Sequence, residues 1–190
     1  MIRYAKDTSH WEEWQCEYRL GLILILPPDD IGKQVEALRQ QYDPKAASIC
    51  EAHISLSEPL RKEFSPEVER EIRHILSGVE PFEIHYGPLR TFAPYPGVAY
   101  KIEPEDRFFQ LREALHTASA FEGSQFKRRD IPPHLTIAEF LPDMARSEEL
   151  KNQLQGKVPE GFFMCDKLDL IIPDNGFCFR RVLEFELGAS

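Results

Sequence analysis

The chain has 190 residues, 42% of them hydrophobic and 11% aromatic, enough to bury a sizeable core as one large domain or two intimately packed lobes. A formal net charge of −9 argues against a coat for duplex nucleic acid, which needs a broad basic face, but leaves room for a small phosphate ligand in a locally positive pocket. Cys16, Cys50, Cys165 and Cys178 form no C-x-x-C pair and follow no secretory signal, so they read as reduced thiols of a cytosolic protein.

Residues 1–16 form a polar leader, in which Ser9 can cap a short helix placing Trp11 and Trp14 on one face for packing onto the body. The rest, residues 17–190, reads as a single unit. Residues 18–26 are a buried strand stopped by Pro27-Pro28, and their most apolar run, 20–26, is far too short to span a bilayer. Asp29 or Asp30 starts a helix over 31–42 with Ile31, Val35 and Leu38 along one stripe, ended by Asp43-Pro44. A strand over 50–57 follows, then a helix opened by Ser65-Pro66 and stopped at Gly78. Residues 82–86 and 89–92 read as strands, 93–97 as a turn and 98–102 as the partner strand of a hairpin. A helix over 105–121, a loop over 123–133, a strand over 134–140 and a helix over 146–154 come next. A closing hairpin of 162–172 and 177–187 surrounds Pro173-Asp174-Asn175-Gly176. No glycine-rich phosphate loop and no linker divides the chain, which predicts one bilobal α+β unit with its site between the lobes.

Two strands carry the same pattern: His53-Ile54-Ser55-Leu56 and His134-Leu135-Thr136-Ile137. On a strand, residues two apart share a face, so each copy presents an imidazole and a hydroxyl together while Ile54, Leu56, Leu135 and Ile137 face the core. Brought together, two imidazoles and two hydroxyls can surround a phosphate.

These two copies resemble the H-h-[ST]-h motifs of the 2H phosphoesterase superfamily, within it the 2′-5′ RNA ligase-like and cyclic phosphodiesterase group. The likeness extends to residues 18–27, to Asp43-Pro44 and Pro59 around the first motif, and to Pro81-Phe82-Glu83-Ile84 with Leu89 and Phe92. Ser55 stands where threonine is the commoner hydroxyl, and since either can donate to a phosphate oxygen this is no real departure, whereas Ala52 departs from a frequent proline. The resemblance implies two small antiparallel sheets flanked by helices and related by a pseudo-twofold through the cleft. It also implies metal-free hydrolysis of small cyclic phosphates such as nucleoside or RNA-end 2′,3′-cyclic phosphates, with 2′-5′ RNA ligation in some members.

The residues themselves support that chemistry. Imidazole titrates near pH 6.5, so one histidine can act as base while the other acts as acid, and in-line displacement needs them on opposite sides of phosphorus. His53 and His134 are the expected acid–base pair, and Ser55 and Thr136 the phosphate anchors. Lys127-Arg128-Arg129 reads as a positive lip, with Arg129 a candidate substrate contact. Tyr95, Tyr100, Phe92, Phe177 and Phe179 are candidates to stack on a base, Tyr100 foremost. His10, His74, His85 and His116 read as surface or packing residues. No metal or cofactor is expected, since two histidines lack a third zinc ligand unless Asp43 or Glu139 supplies it. The expected partner is a small cyclic phosphate, a nucleotide or an RNA end, met by a monomer without duplex DNA or a membrane. The alternatives are a non-catalytic nucleotide- or RNA-binding module and a 2′-5′ RNA ligase.

Overall fold

The computed structural model describes residues 2–127 and 129–189. Among the described residues, eight strands are interspersed with six α-helices. The strands are β1 Leu22–Ile25, β2 Ile54–Ser55, β3 Phe82–Phe92, β4 Tyr95–Glu103, β5 His134–Ala138, β6 Gly161–Cys165, β7 Lys167–Pro173 and β8 Phe179–Glu186. The helices are α1 Glu13–Cys16, α2 Asp29–Tyr42, α3 Pro44–Ile49, α4 Pro66–Ser77, α5 Glu105–Leu115 and α6 Met144–Leu154. Among the described residues, no helix is long and apolar enough to cross a membrane.

All pairings are antiparallel, in the order β6-β3-β4-β5-β2-β1-β7-β8. The two sheets implied by the resemblance are thus joined along β2 and β5 into one. The expected strand over 162–172 is two strands parted at Asp166. Its first half pairs with β3 at one edge of the sheet, its second with β1 and β8 near the other. Residues joined by so short a link cannot be far apart, so the sheet must curl until its ends approach.

Local sequence explains most elements. Ser65 accepts from Val68 N at 3.3 Å and caps α4, with Pro66 at the first helical position. Asp43 caps α3, a helix not foreseen, by accepting from Ala46 N at 3.0 Å. The helix expected over 105–121 stops at Leu115 and is followed by a 3-10 turn at Ser119–Phe121. Gly21 enters β1 at φ +87°, where a β-carbon would lie 2.2 Å from Ile171 O, so only glycine fits. Ile23, Ile25, Ile54, Leu56, Leu135 and Ile137 face one continuous core shared with α2, α4, α5 and α6. Leu22, Leu24, Leu26, Cys50 and Ile171 form a second cluster on the opposite face of β1 and β7.

The leader packs onto the body. Trp11 is buried against Phe177, with centroids 5.1 Å apart, and its indole donates to Asn175 O at 2.9 Å. The helix there is α1, capped by Glu12 rather than by Ser9.

Candidate active site

β2 and β5 are antiparallel neighbours with Ile54 opposite Leu135, equivalent positions of the two motifs. One step outward sets His53 opposite Thr136 and Ser55 opposite His134, all on the face turned away from the core. Directly opposed β-carbons lie about 5 Å apart and diagonal ones about 7–8 Å, so each imidazole adjoins the other motif's hydroxyl. The two imidazoles occupy one diagonal and the two hydroxyls the other. Exposure follows the same alternation: Ile54, Leu56, Leu135 and Ile137 are fully buried, and the four polar residues are half-buried.

Both rings are held alike. His53 Nδ1 lies 2.7 Å from Glu51 O and His134 Nδ1 lies 2.9 Å from Pro132 O, each the carbonyl two residues earlier. A carbonyl only accepts, so Nδ1 carries the hydrogen and the lone pair of the neutral ring sits on Nε2. Phe92 packs on the His134 ring at 4.7 Å, an orienting contact rather than a platform for a base.

Two buried arginines brace the pair, and sequence reasoning missed both. Arg39 of α2 is 1% exposed and donates to Cys50 O at 2.8 Å and to Thr136 O at 3.1 Å. Arg112 of α5 is 2% exposed and donates to Leu56 O at 3.0 Å, Ile131 O at 2.8 Å and, weakly, Ser55 O at 3.4 Å. Each helix precedes one motif and its arginine reaches the other motif's hydroxyl residue, so the braces cross. Their signal was present: Arg39 follows Ile31 and Val35 at helical spacing, and Arg112 follows Phe108 in the same way.

His53, Ser55, His134, Thr136, Arg39 and Arg112 all line one cavity of about 600 Å³, a size suited to a small organic ligand. Its walls include Trp14, Tyr18, Phe177 and Phe179 on one side and Tyr95 and Phe140 on the other, with Glu17, Glu58 and Glu139 among them. Cys50 also lines it, but burial pushes its thiol up to about 12, which keeps it protonated and unreactive.

Tyr100 is not at the site. It lies opposite Leu135 in the ladder, so its side chain points into the core, where it is fully buried against Tyr86. Burial raises its phenol. Arg129 does not line the cavity and pairs with Glu113 at 2.7 Å. Arg128 lies outside the described residues, and Lys127 sits 3.7 Å from Glu17, so the basic lip is partly neutralised. Asp43 is occupied by backbone, accepting from Glu139 N at 2.8 Å and Phe140 N at 2.9 Å besides capping α3. Among the described residues, no three His, Cys, Asp or Glu side chains converge as metal ligands. His116 is a packing residue. Its Nδ1 contacts Arg112 O, its Nε2 accepts from Glu58 N, and burial lowers its pKa.

This fold and site define an α+β protein of the two-histidine type. A family model described as the 2′-5′ RNA ligase superfamily matches residues 27–177, and the chain belongs to that superfamily, the 2H phosphoesterases. It is similar to the "Putative phosphoesterase" of Oceanobacillus iheyensis, 33% identical over 150 residues, covering 77% of this chain and 84% of that protein. The "Putative phosphoesterase" of Bacillus cytotoxicus is 31% identical over 135 residues, covering 70% and 76%. Among solved structures, E. coli LigT complexed with 3′-AMP superposes with a TM-score of 0.60 at 16% identity, covering 87% and 96%. TT0787 of Thermus thermophilus gives 0.55 at 14% identity, covering 89% and 98%. These likenesses support the fold.

Proposed function

We propose that this chain hydrolyses a small cyclic phosphodiester, a nucleoside or RNA-end 2′,3′-cyclic phosphate, by acid–base catalysis between His53 and His134. The observation that carries the reading is the crossed register, which puts two identically oriented imidazoles on one diagonal and two hydroxyls on the other. Diagonal imidazoles flank a phosphorus held between them, the arrangement in-line displacement needs. One Nε2 takes a proton from water as the water oxygen attacks phosphorus. The bond from phosphorus to one ribose oxygen breaks, and the other imidazole, protonated, gives its proton to that oxygen. Ser55 and Thr136 donate to the non-bridging oxygens as charge builds there. The product is a 2′- or 3′-phosphate monoester, and proton exchange with water resets the pair.

The complexes of LigT with 3′-AMP, ATP and NADP+ support a nucleotide as the ligand class. Cavity size also favours a mononucleotide or a terminal nucleotide over a long RNA footprint, as does the net charge of −9. The test is incubation of the protein with the four nucleoside 2′,3′-cyclic phosphates, with and without EDTA, and separation of the 2′- and 3′-phosphate products. Turnover that EDTA leaves intact is expected, with one isomer formed. Nucleotide binding without any product would refute the enzyme in favour of a binding module.

A further inference from the structure

We propose that the leader adds a base-stacking wall to this cleft, with Trp14 as the specificity-determining residue for a planar nucleobase carried by the phosphate ester. The proposal rests on reading the histidine–hydroxyl centre as the phosphate site.

The two leader tryptophans are not equivalent. Trp11 anchors the segment, being 8% exposed, packed on Phe177 and bonded to Asn175 O. Trp14 is 43% exposed, yet it lines the same cavity as His53 and Ser55. Its indole N–H donates to Glu12 at 2.7 Å, and its edge-to-face contacts with Phe177 at 5.3 Å and Tyr18 at 6.1 Å fix the ring plane. Phe179 continues the wall at 6.2 Å from Tyr18 and 5.3 Å from Phe177. A large aromatic ring held rigid and left partly open to solvent is ready to stack at little entropic cost.

The cavity is divided to suit such a ligand. Its floor carries the imidazoles and hydroxyls, which take a phosphate, over two buried guanidinium groups bonded to backbone carbonyls, and this wall is aromatic. A five-membered cyclic phosphate fills only a fraction of about 600 Å³, whereas a nucleotide spans from floor to wall. Trp14 and Tyr18 precede residue 27, where the family match begins, so this side of the wall lies outside the matched segment.

The test is equilibrium binding by calorimetry of two non-cyclic monoesters, adenosine 3′-phosphate and glycerol 2-phosphate, to the wild type, Trp14→Ala and Trp14→Phe. Base–aromatic stacking predicts that Trp14→Ala weakens adenosine 3′-phosphate roughly five- to hundredfold. Glycerol 2-phosphate binding stays unchanged, the melting temperature falls by only a few degrees as the edge-to-face contacts are lost, and Trp14→Phe keeps most of the affinity. Equal loss for both ligands, no loss for either, or no binding of adenosine 3′-phosphate by the wild type would overturn the proposal. Base-dependent binding lost with Trp14, in a protein that hydrolyses no cyclic phosphate, would overturn the enzyme reading and leave the wall standing. Hydrolysis indifferent to the base and to Trp14→Ala would do the reverse.

Discussion

Arg112→Met tests whether the crossed braces hold the site. Methionine keeps much of the aliphatic volume but removes every donor, leaving Leu56 O, Ile131 O and Arg129 O without the bonds they accept at 3.0, 2.8 and 3.2 Å. A hydrogen bond from a charged donor contributes about 1.5–3 kcal/mol, so the three together set a gross loss of roughly 4–9 kcal/mol, with Leu56 O the buried acceptor among them. Against this, the mutant no longer desolvates a guanidinium, a relief of several kcal/mol. The net expectation is a destabilisation of about 3 kcal/mol, which in a domain of this size lowers the melting temperature by roughly 6–12 °C. The same change frees β2 and the segment entering β5 from a common clamp. A displacement of 1 Å at a catalytic group costs up to about 100-fold, so kcat should fall at least tenfold, measured below the new melting point. Arg112→Lys should recover only part of both losses, because one ammonium cannot span carbonyls that a forked guanidinium reaches together. Thermal and urea unfolding, with hydrolysis assayed alongside, are the measurements. A midpoint within 2 °C of wild type for Arg112→Met would show that the bonds carry no net stability and would sink the argument.

His53→Ala and His134→Ala should each lower turnover about 10²–10⁴-fold with little change in melting temperature, and wild-type kcat/KM should be bell-shaped in pH; a variant retaining near-full activity removes that histidine from the reaction. Asp169 is wholly buried, and burial pushes it up to about 6, with Arg181 Nε 3.1 Å away but not aligned as a hydrogen bond. Its folded pKa exceeds the unfolded value of about 3.9, so the folded state binds the proton more tightly and stability falls as pH rises from about 4 to 6. Asp169→Asn should flatten that fall and add about 2 kcal/mol near pH 7, and parallel urea-midpoint curves for the two proteins would contradict it. Gly21→Ala must take a positive φ and place its β-carbon 2.2 Å from Ile171 O, which should cost at least about 2 kcal/mol in urea unfolding; an unchanged midpoint would mean that the chain relaxes there freely.

What was legible in the sequence was local. The His-x-hydroxyl pattern needs only strand alternation to put its polar pair on one face, and Ser65-Pro66 needs only its own backbone to start α4. Where long-range register decides, the sequence was silent. Val98, Ala99 and Tyr100 are all buried, so no alternation shows which of them faces the cleft. That is fixed by Ala99 standing opposite Thr136, which sends Tyr100 to the core. The break at Asp166 carries no glycine or proline, because the chain leaves one strand partner for another without a tight turn. Arg39 and Arg112 were readable as charges on apolar helix stripes, but not which carbonyls they would reach. Trp14 reads as a packing residue because spacing cannot tell an anchored indole from an open one.

The seam between the two motif strands explains why these long-range contacts matter. β2 has two residues, and its ladder with β5 registers at the single pair Ile54–Leu135. A seam so short in backbone pairing must be held by something else. Among the buried side chains that cross it are Arg39 to Thr136 O, Asp43 to the amides of Glu139 and Phe140, and Arg112 to the carbonyls of Ser55 and Leu56. All three are buried and bond to the backbone of the motif strands or their exits. Bonds to charged groups exceed those between neutral ones, so a few can replace a longer ladder. The side-chain clamps thus hold the two motifs in fixed register where the ladder between them is one pair long. The bonds that join the halves therefore also set the spacing of His53 and His134.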